Sequence, residues 1–159
     1  AIKKIIEIER EKTMKNTIII LISLLLSSTF ILADDHIVKP EEISKSDVAG
    51  AMYVRPSMTK TTHEDGSIAL DVTSFLSTDG KYETGMYRSA ASHINVNEPW
   101  GVDEFFFVIQ GSITLTSKDG SVLTIEAGEG ASIPKEWTGK WDTDGYSKIW
   151  AIYYGDSKE

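Results

Sequence analysis

The sequence predicts an all-β domain, an antiparallel barrel or sandwich, on three observations. Apolar stretches of strand length recur at short spacing, turn glycines separate them, and nothing after residue 33 reads as a long helix. The organising segment is Asp103-Glu104-Phe105-Phe106-Phe107-Val108-Ile109-Gln110-Gly111, a buried strand carrying one acid and ending at a glycine. A second punctuated run follows at Gly128-Glu129-Gly130-Ala131-Ser132-Ile133-Pro134-Lys135-Glu136-Trp137. Together they imply a small β-barrel with a pocket.

The chain divides into an appendage and one domain. Residues 1–13 read as an extension upstream of a start at Met14. Residues 14–33 read as a secretory signal peptide: Lys15, an apolar run from Thr17 to Ala33, then Asp34-Asp35. The run is shorter than the roughly 20 residues of a spanning helix, so no stable membrane insertion is expected after cleavage near Ala33. That places the protein in the periplasm or outside the cell. Residues 34–66 form an N-terminal lead-in and loop, and residues 67–159 the barrel.

Composition removes several functions. There is no cysteine, so neither disulfides nor thiolate metal ligands are available. The net charge is -8. Without residues 1–33, Lys+Arg falls from 16 to 11 and Asp+Glu from 24 to 21, giving -10. Such a surface opposes nucleic-acid binding, which needs basic groups to displace counterions.

Along the lead-in, Pro40–Ser44 reads as one helical turn, Met52-Tyr53-Val54 as a short extended piece, and Thr59–Gly66 as a polar loop holding His63. Ser67–Phe75 alternates as a strand, with Ile68, Leu70 and Val72 on one face. Thr78–Lys81 is a turn, Thr84–Val96 an extended stretch, and Asn97–Gly101 a loop. Val102–Gln110 is a strand that Gly111 breaks. Ser112–Ser117 and Ser121–Glu126 form a hairpin around Lys118-Asp119-Gly120, since Asp-Gly supplies the positive φ angles such turns need. Short strands follow at Ala131–Pro134, Gly139–Thr143 and Lys148–Tyr154, with a turn at Asp142–Gly145.

Side chains alternate faces along a strand. Glu104, Phe106 and Val108 share one face of the organising strand; Phe105, Phe107 and Ile109 share the other. The last strand repeats this, with Ile149, Ala151 and Tyr153 opposing Trp150, Ile152 and Tyr154. Neither face suits water. One must line the barrel, and the other must be covered by the N-terminal segment, by a homodimer partner, or by both.

At these residues the chain resembles the cupins, whose fold is a double-stranded β-helix barrel (a jelly roll). The usual first cupin motif ends in Glu, six residues and Gly, which Glu104 and Gly111 match. The second opens with Gly, five residues and Pro, which Gly128 and Pro134 match. Trp100-Gly101-Val102-Asp103-Glu104, Ile133-Pro134-Lys135, Trp137-Thr138-Gly139-Lys140-Trp141 and Lys148-Ile149-Trp150 are closest to the subfamily of (S)-ureidoglycine aminohydrolase-type and ethanolamine-utilisation-type cupins. The resemblance spans about Gly85–Tyr154. It implies a single barrel domain after the signal segment; it speaks less to activity, because one barrel hosts many functions.

A usual cupin metal site takes three histidines and a glutamate. Here the first-motif histidine positions fall on Asn97 and Pro99 or on Glu98 and Trp100, and the second-motif position on Gly139. Only Glu104 is kept. The three histidines present are His36 in the lead-in, His63 in a loop and His93 on a strand. No cofactor is expected, with a divalent metal on His, Asp or Glu left open.

Glu104 is the candidate catalytic residue, as a pocket acid or base. The competing role is a buried carboxylate held by Lys135, Arg88 or a tyrosine. Trp100, Trp137 and Trp141 suggest an apolar or stacking pocket in place of a metal, against plain core filling. Tyr87, Arg88, Lys135 and His93 complete the candidate ligand-binding set, while Lys135 and Lys148 otherwise read as solvated. The expectation is an exported cupin that binds a small organic ligand and forms a homodimer. An enzyme of aminohydrolase, lyase or isomerase type using Glu104, and a structural module with a collapsed barrel, are the alternatives.

Overall fold

The computed structural model describes residues 39–63 and 66–155. The expected start at Met14, the signal segment and His36 lie outside them. Among the described residues no helix is long and apolar enough to cross a membrane.

The domain is one seven-stranded antiparallel sheet curled on itself. Its strands are β1 (Thr59–Thr62), β2 (Ile68–Leu76), β3 (Tyr82–Val96), β4 (Asp103–Ser117), β5 (Val122–Glu126), β6 (Gly130–Ile133) and β7 (Gly139–Tyr153). The order is β1-β2-β3-β7-β4-β5, with β6 also paired to β4. The last strand therefore lies between β3 and β4, the two other long strands. Each inward residue of β7 faces partners on both sides, as Tyr87↔Lys148↔Val108 and Gly85↔Trp150↔Phe106.

Two expected interruptions are bulges inside continuous strands. Gly111 does not end β4, and Asp142–Gly145 is not a turn but part of β7. The reason is steric. Gly111 has φ 78°, and a Cβ there would stand 2.0 Å from the Gly145 carbonyl oxygen. Two glycines let β4 and β7 approach and shift register, which bends the sheet without breaking the ladder. The hairpin at Lys118-Asp119-Gly120 is found, closed by Gly120 N–H donating to the Ser117 carbonyl at 2.9 Å.

The alternation of β4 is as expected. Phe106 and Val108 are fully buried and Glu104 nearly so, and they join Ile113, Leu115, Ile125, Ile133, Trp141, Tyr146 and Trp150 inside the barrel. Burying each large side chain contributes about 1.5–3 kcal/mol. The opposite face is only partly covered. Met52, Val72 and Met86 are fully buried there, with Ile43, Tyr53, Met58, Ile109 and Ile149 packed around them. Phe105 and Phe107 stay exposed among the described residues.

The lead-in differs from expectation in three places. The helical turn is α1 (Lys45–Val48), not Pro40–Ser44, because Ser44 caps it: the Ser44 hydroxyl accepts from Asp47 N–H at 3.2 Å and the Asp47 carboxylate accepts from Ser44 N–H at 2.9 Å. Met52-Tyr53-Val54 belongs to a 3₁₀ turn (Ala51–Val54), not an extended piece, since Met52 must turn inward to be buried with Val72 and Met86. Residues 59–62 form an edge strand, not a loop. Every residue of it is exposed, so no apolar alternation marks it; its backbone pairs with β2. On β2, Val72 is buried as expected, while Ile68 is exposed.

Candidate functional site

Strand parity determines what points into the barrel. Asp71, Tyr87 and Lys148 are cross-strand neighbours on β2, β3 and β7, and Glu83, Ile152 and Glu104 make a parallel row on β3, β7 and β4. These rows line a cavity of about 600 Å³ together with Trp100, Trp141, Tyr146 and Trp150. The barrel is therefore not collapsed.

At the cavity floor lies an ion pair. The Lys148 ammonium donates to Glu104 Oε1, and the Trp100 indole N–H donates to Glu104 Oε2 at 3.0 Å. Glu104 is 4% exposed and Lys148 5%, so neither charge has enough water to stand alone. The ammonium also sits over ring faces, 5.0 Å from Phe106, 5.1 Å from Trp141, 5.6 Å from Tyr87 and 6.0 Å from Tyr146. Each desolvated cation–π contact can contribute about 2 kcal/mol. Trp100 and Trp141 stack at 5.4 Å with a 5° interplanar angle.

The loops that carry the tryptophans are tied together. Trp100 N–H donates to the Trp137 carbonyl at 2.9 Å, and Gly101 N–H to the Lys135 carbonyl at 2.8 Å. Trp137 packs edge-on to Trp100 and donates to the Ser117 hydroxyl at 3.1 Å. Its role is to brace Trp100.

The cavity wall is acidic and aromatic. Although Asp71 keeps an exposed surface, the surrounding wall displaces enough water to push its pKa up; the Trp150 hydrogen bond and the Lys148 charge oppose this. Burial likewise pushes Tyr87 up and Tyr146 well above the usual phenol range, so both hydroxyls stay protonated at neutral pH. Glu83 accepts from Thr73 Oγ1 at 2.5 Å and from the Tyr154 hydroxyl. That second bond is the main cause of the Tyr154 shift to about 12, since ionising Tyr154 would set two anions together. At the exposed rim His93 Nδ1 lies 2.9 Å from Asp142 Oδ1.

Of the residues expected at the site, Glu104, Trp100, Trp141, Tyr87 and His93 line the cavity. Trp137, Arg88 and Lys135 do not. Arg88 lies on the opposite parity of β3 and is exposed, and Lys135 is exposed at its loop, where its backbone N–H bonds Asp103. Lys148 corrects the sequence reading most: it is the buried partner of Glu104, not a solvated surface lysine. A signal existed, because Lys148 has the parity of Trp150 and Ile152. Asp71, Glu83 and Tyr146 were missed for lack of a motif.

A sequence model of the EutQ-like cupin domain matches residues 76–148. The chain carries a EutQ-like cupin domain. No curated protein matches the chain. Among solved structures, EutQ of Clostridium difficile superposes with a TM-score of 0.50 at 19% identity, over 64% of this chain and 79% of that one. A protein of unknown function from Pseudomonas syringae pv. tomato gives 0.54 at 19% identity, over 60% and 43%. Ectoine synthase from P. lautus gives 0.52 at 10% identity, over 64% and 72%. At such identities these likenesses establish the fold.

The side chains of this cupin domain do not fit the metal centre usual for the fold. Both oxygens of Glu104 are engaged by Lys148 and Trp100. Gly139, at the second-motif histidine position, has no room for a side chain: a Cβ would stand 2.2 Å from the Thr116 carbonyl oxygen. Among the described residues no three His, Asp or Glu groups converge.

Proposed function

We propose that the cupin barrel is an exported binding site for a small organic molecule and works without a three-histidine metal centre. The observation that carries this reading is the cavity of about 600 Å³ whose floor is the buried Glu104–Lys148 pair and whose walls are aromatic. Such a cavity suits a flat, largely apolar body with a few polar contacts. Metal analysis of the purified protein, combined with a thermal-shift screen of small metabolites, tests it. The expected result is no full equivalent of Mn, Fe, Ni or Zn, and at least one compound giving a saturable shift that Trp100→Ala weakens. At a hundredfold excess over Kd the shift corresponds to about 2.7 kcal/mol. A full equivalent of metal held through Glu104, or hits indifferent to Trp100→Ala, overturns the reading.

The buried acid–ammonium pair favours a second reading, an enzyme of aminohydrolase, lyase or isomerase type in which Glu104 moves a proton. Turnover of an identified ligand that survives Glu104→Gln sinks that alternative.

Export rests on the Lys15 to Ala33 pattern. N-terminal sequencing of protein recovered from the periplasm is expected to begin within a few residues of Asp34. A mature chain that still begins at Met14 or earlier overturns it.

A further inference from the structure

We infer that Lys148 recognises the ligand, and that it selects an uncharged oxygen acceptor, such as a carbonyl, an amide or a hydroxyl, over a carboxylate or an amine. The inference rests on the small-molecule reading above and narrows it.

An ammonium carries three N–H donors. Lys148 gives one to Glu104 and makes no other hydrogen bond among the described residues, although it is 5% exposed and lines the cavity. The surrounding rings attract its charge but are poor substitutes for oxygen lone pairs. A buried donor without an acceptor is costly to leave so, and a ligand oxygen is the group that completes it.

The charges around the cavity determine which oxygen. Glu104 offsets the Lys148 charge, so the floor pair attracts a further anion far less than a lone ammonium would. Among the described residues Asp71 and Glu83 take hydrogen bonds from neutral donors, Trp150 for the first and Thr73 and Tyr154 for the second, and the Lys148 charge offsets the Asp71 charge in part. A carboxylate at Lys148 would face both of them. An amine protonated at neutral pH would set a second ammonium against Lys148 and offer it hydrogens in place of a lone pair. A neutral carbonyl or hydroxyl suffers neither repulsion. The half-buried Trp100, stacked on Trp141, offers a flat surface beside it for an apolar ring.

Benzamide, benzoate and benzylamine share one ring and differ only in the head group, so they separate the three chemistries. Calorimetric or NMR titration of the full chain is expected to show benzamide binding at least tenfold more tightly than the other two. Removing both floor charges together, in the Glu104→Gln/Lys148→Met double variant, avoids leaving a lone buried charge. It is expected to weaken benzamide at least tenfold. In the wild-type protein the ¹⁵N signal of the Lys148 ammonium, assigned by its loss in Lys148→Arg, should move on adding benzamide; this readout does not depend on the double variant folding. Benzoate or benzylamine binding as tightly as benzamide overturns the inference, as does a double variant or an ammonium signal indifferent to benzamide. So does failure of all three probes. In that last case the small-molecule reading stands if the metabolite screen gives a Trp100-dependent hit and falls if it gives none.

Discussion

Glu104→Gln is expected to destabilise the fold by about 3–5 kcal/mol, the cost of leaving one member of a buried ion pair alone. The amide keeps the shape of the carboxylate and can still accept from the Trp100 indole, so the loss reports charge and not volume. Lys148 then holds a positive charge at 5% exposure against ring faces, without an ion-pair partner in contact among the described residues and with the Asp71 charge acting on it from the wall. Cation–π attraction offsets part of that desolvation and does not replace an anion. Lys148→Met should lose a similar amount, because Glu104 would keep only the Trp100 hydrogen bond. The double variant should recover most of the loss, since a buried pair is often no more stabilising than apolar groups of equal volume. Denaturant unfolding of the four proteins in a double-mutant cycle measures this directly. As a surface control, Lys135→Met should change stability by no more than about 0.5 kcal/mol. A loss below about 1 kcal/mol for Glu104→Gln would mean that water reaches the pair, contrary to its burial.

The parts of this protein that were legible in its sequence are those where one local rule decides. Alternation alone puts Glu104, Phe106 and Val108 on one face of β4, because strand parity needs no knowledge of partners; which face lines the barrel is decided by packing. Asp119-Gly120 located its hairpin for the same reason. Where tertiary packing chose between local options, the sequence misled. Gly111 and Gly145 look like turn residues one at a time, and only their close approach across β4 and β7 reveals a pair of bulges. The extended appearance of Met52-Tyr53-Val54 yields to the burial of Met52. The edge strand β1 exists through backbone pairing, which leaves no side-chain pattern. The candidate site divides in the same way. Glu104, Trp100 and Trp141 were found through motif position and parity. By residue type Lys148 belongs in water, although it shares a strand face with Trp150 and Ile152, and both faces of that strand are apolar. Asp71 and Glu83 come from two other strands, and only the register that sets Asp71 beside Tyr87 and Glu83 beside Ile152 brings them to the cavity.

Restoring a histidine at the second-motif position is expected to fail. Gly139 pairs with Val96 on one side and Ser117 on the other, so its backbone is held in both ladders of β7. A Cβ there would meet the Thr116 carbonyl oxygen at 2.2 Å and the Trp137 ring at 2.9 Å. The ring can give way only by releasing its bond to the Ser117 hydroxyl and its edge contact with Trp100; the carbonyl can give way only by shifting β4. Gly139→His should therefore lose roughly 3 kcal/mol, the upper end of what overpacking usually costs, and should bind no full equivalent of Mn or Zn. The clash arises at the first side-chain atom, so Gly139→Ala should lose nearly as much. That comparison separates the backbone contact from the bulk of the imidazole. A stable Gly139→His protein holding one metal ion, with the ion lost on Glu104→Gln, would show that the barrel still has space for the usual centre and that Lys148 can leave Glu104 to a metal. Destabilisation of both variants would instead mean that the change from metal to ammonium is fixed in the backbone of β4 and β7, and that replacing side chains at the motif positions does not reverse it.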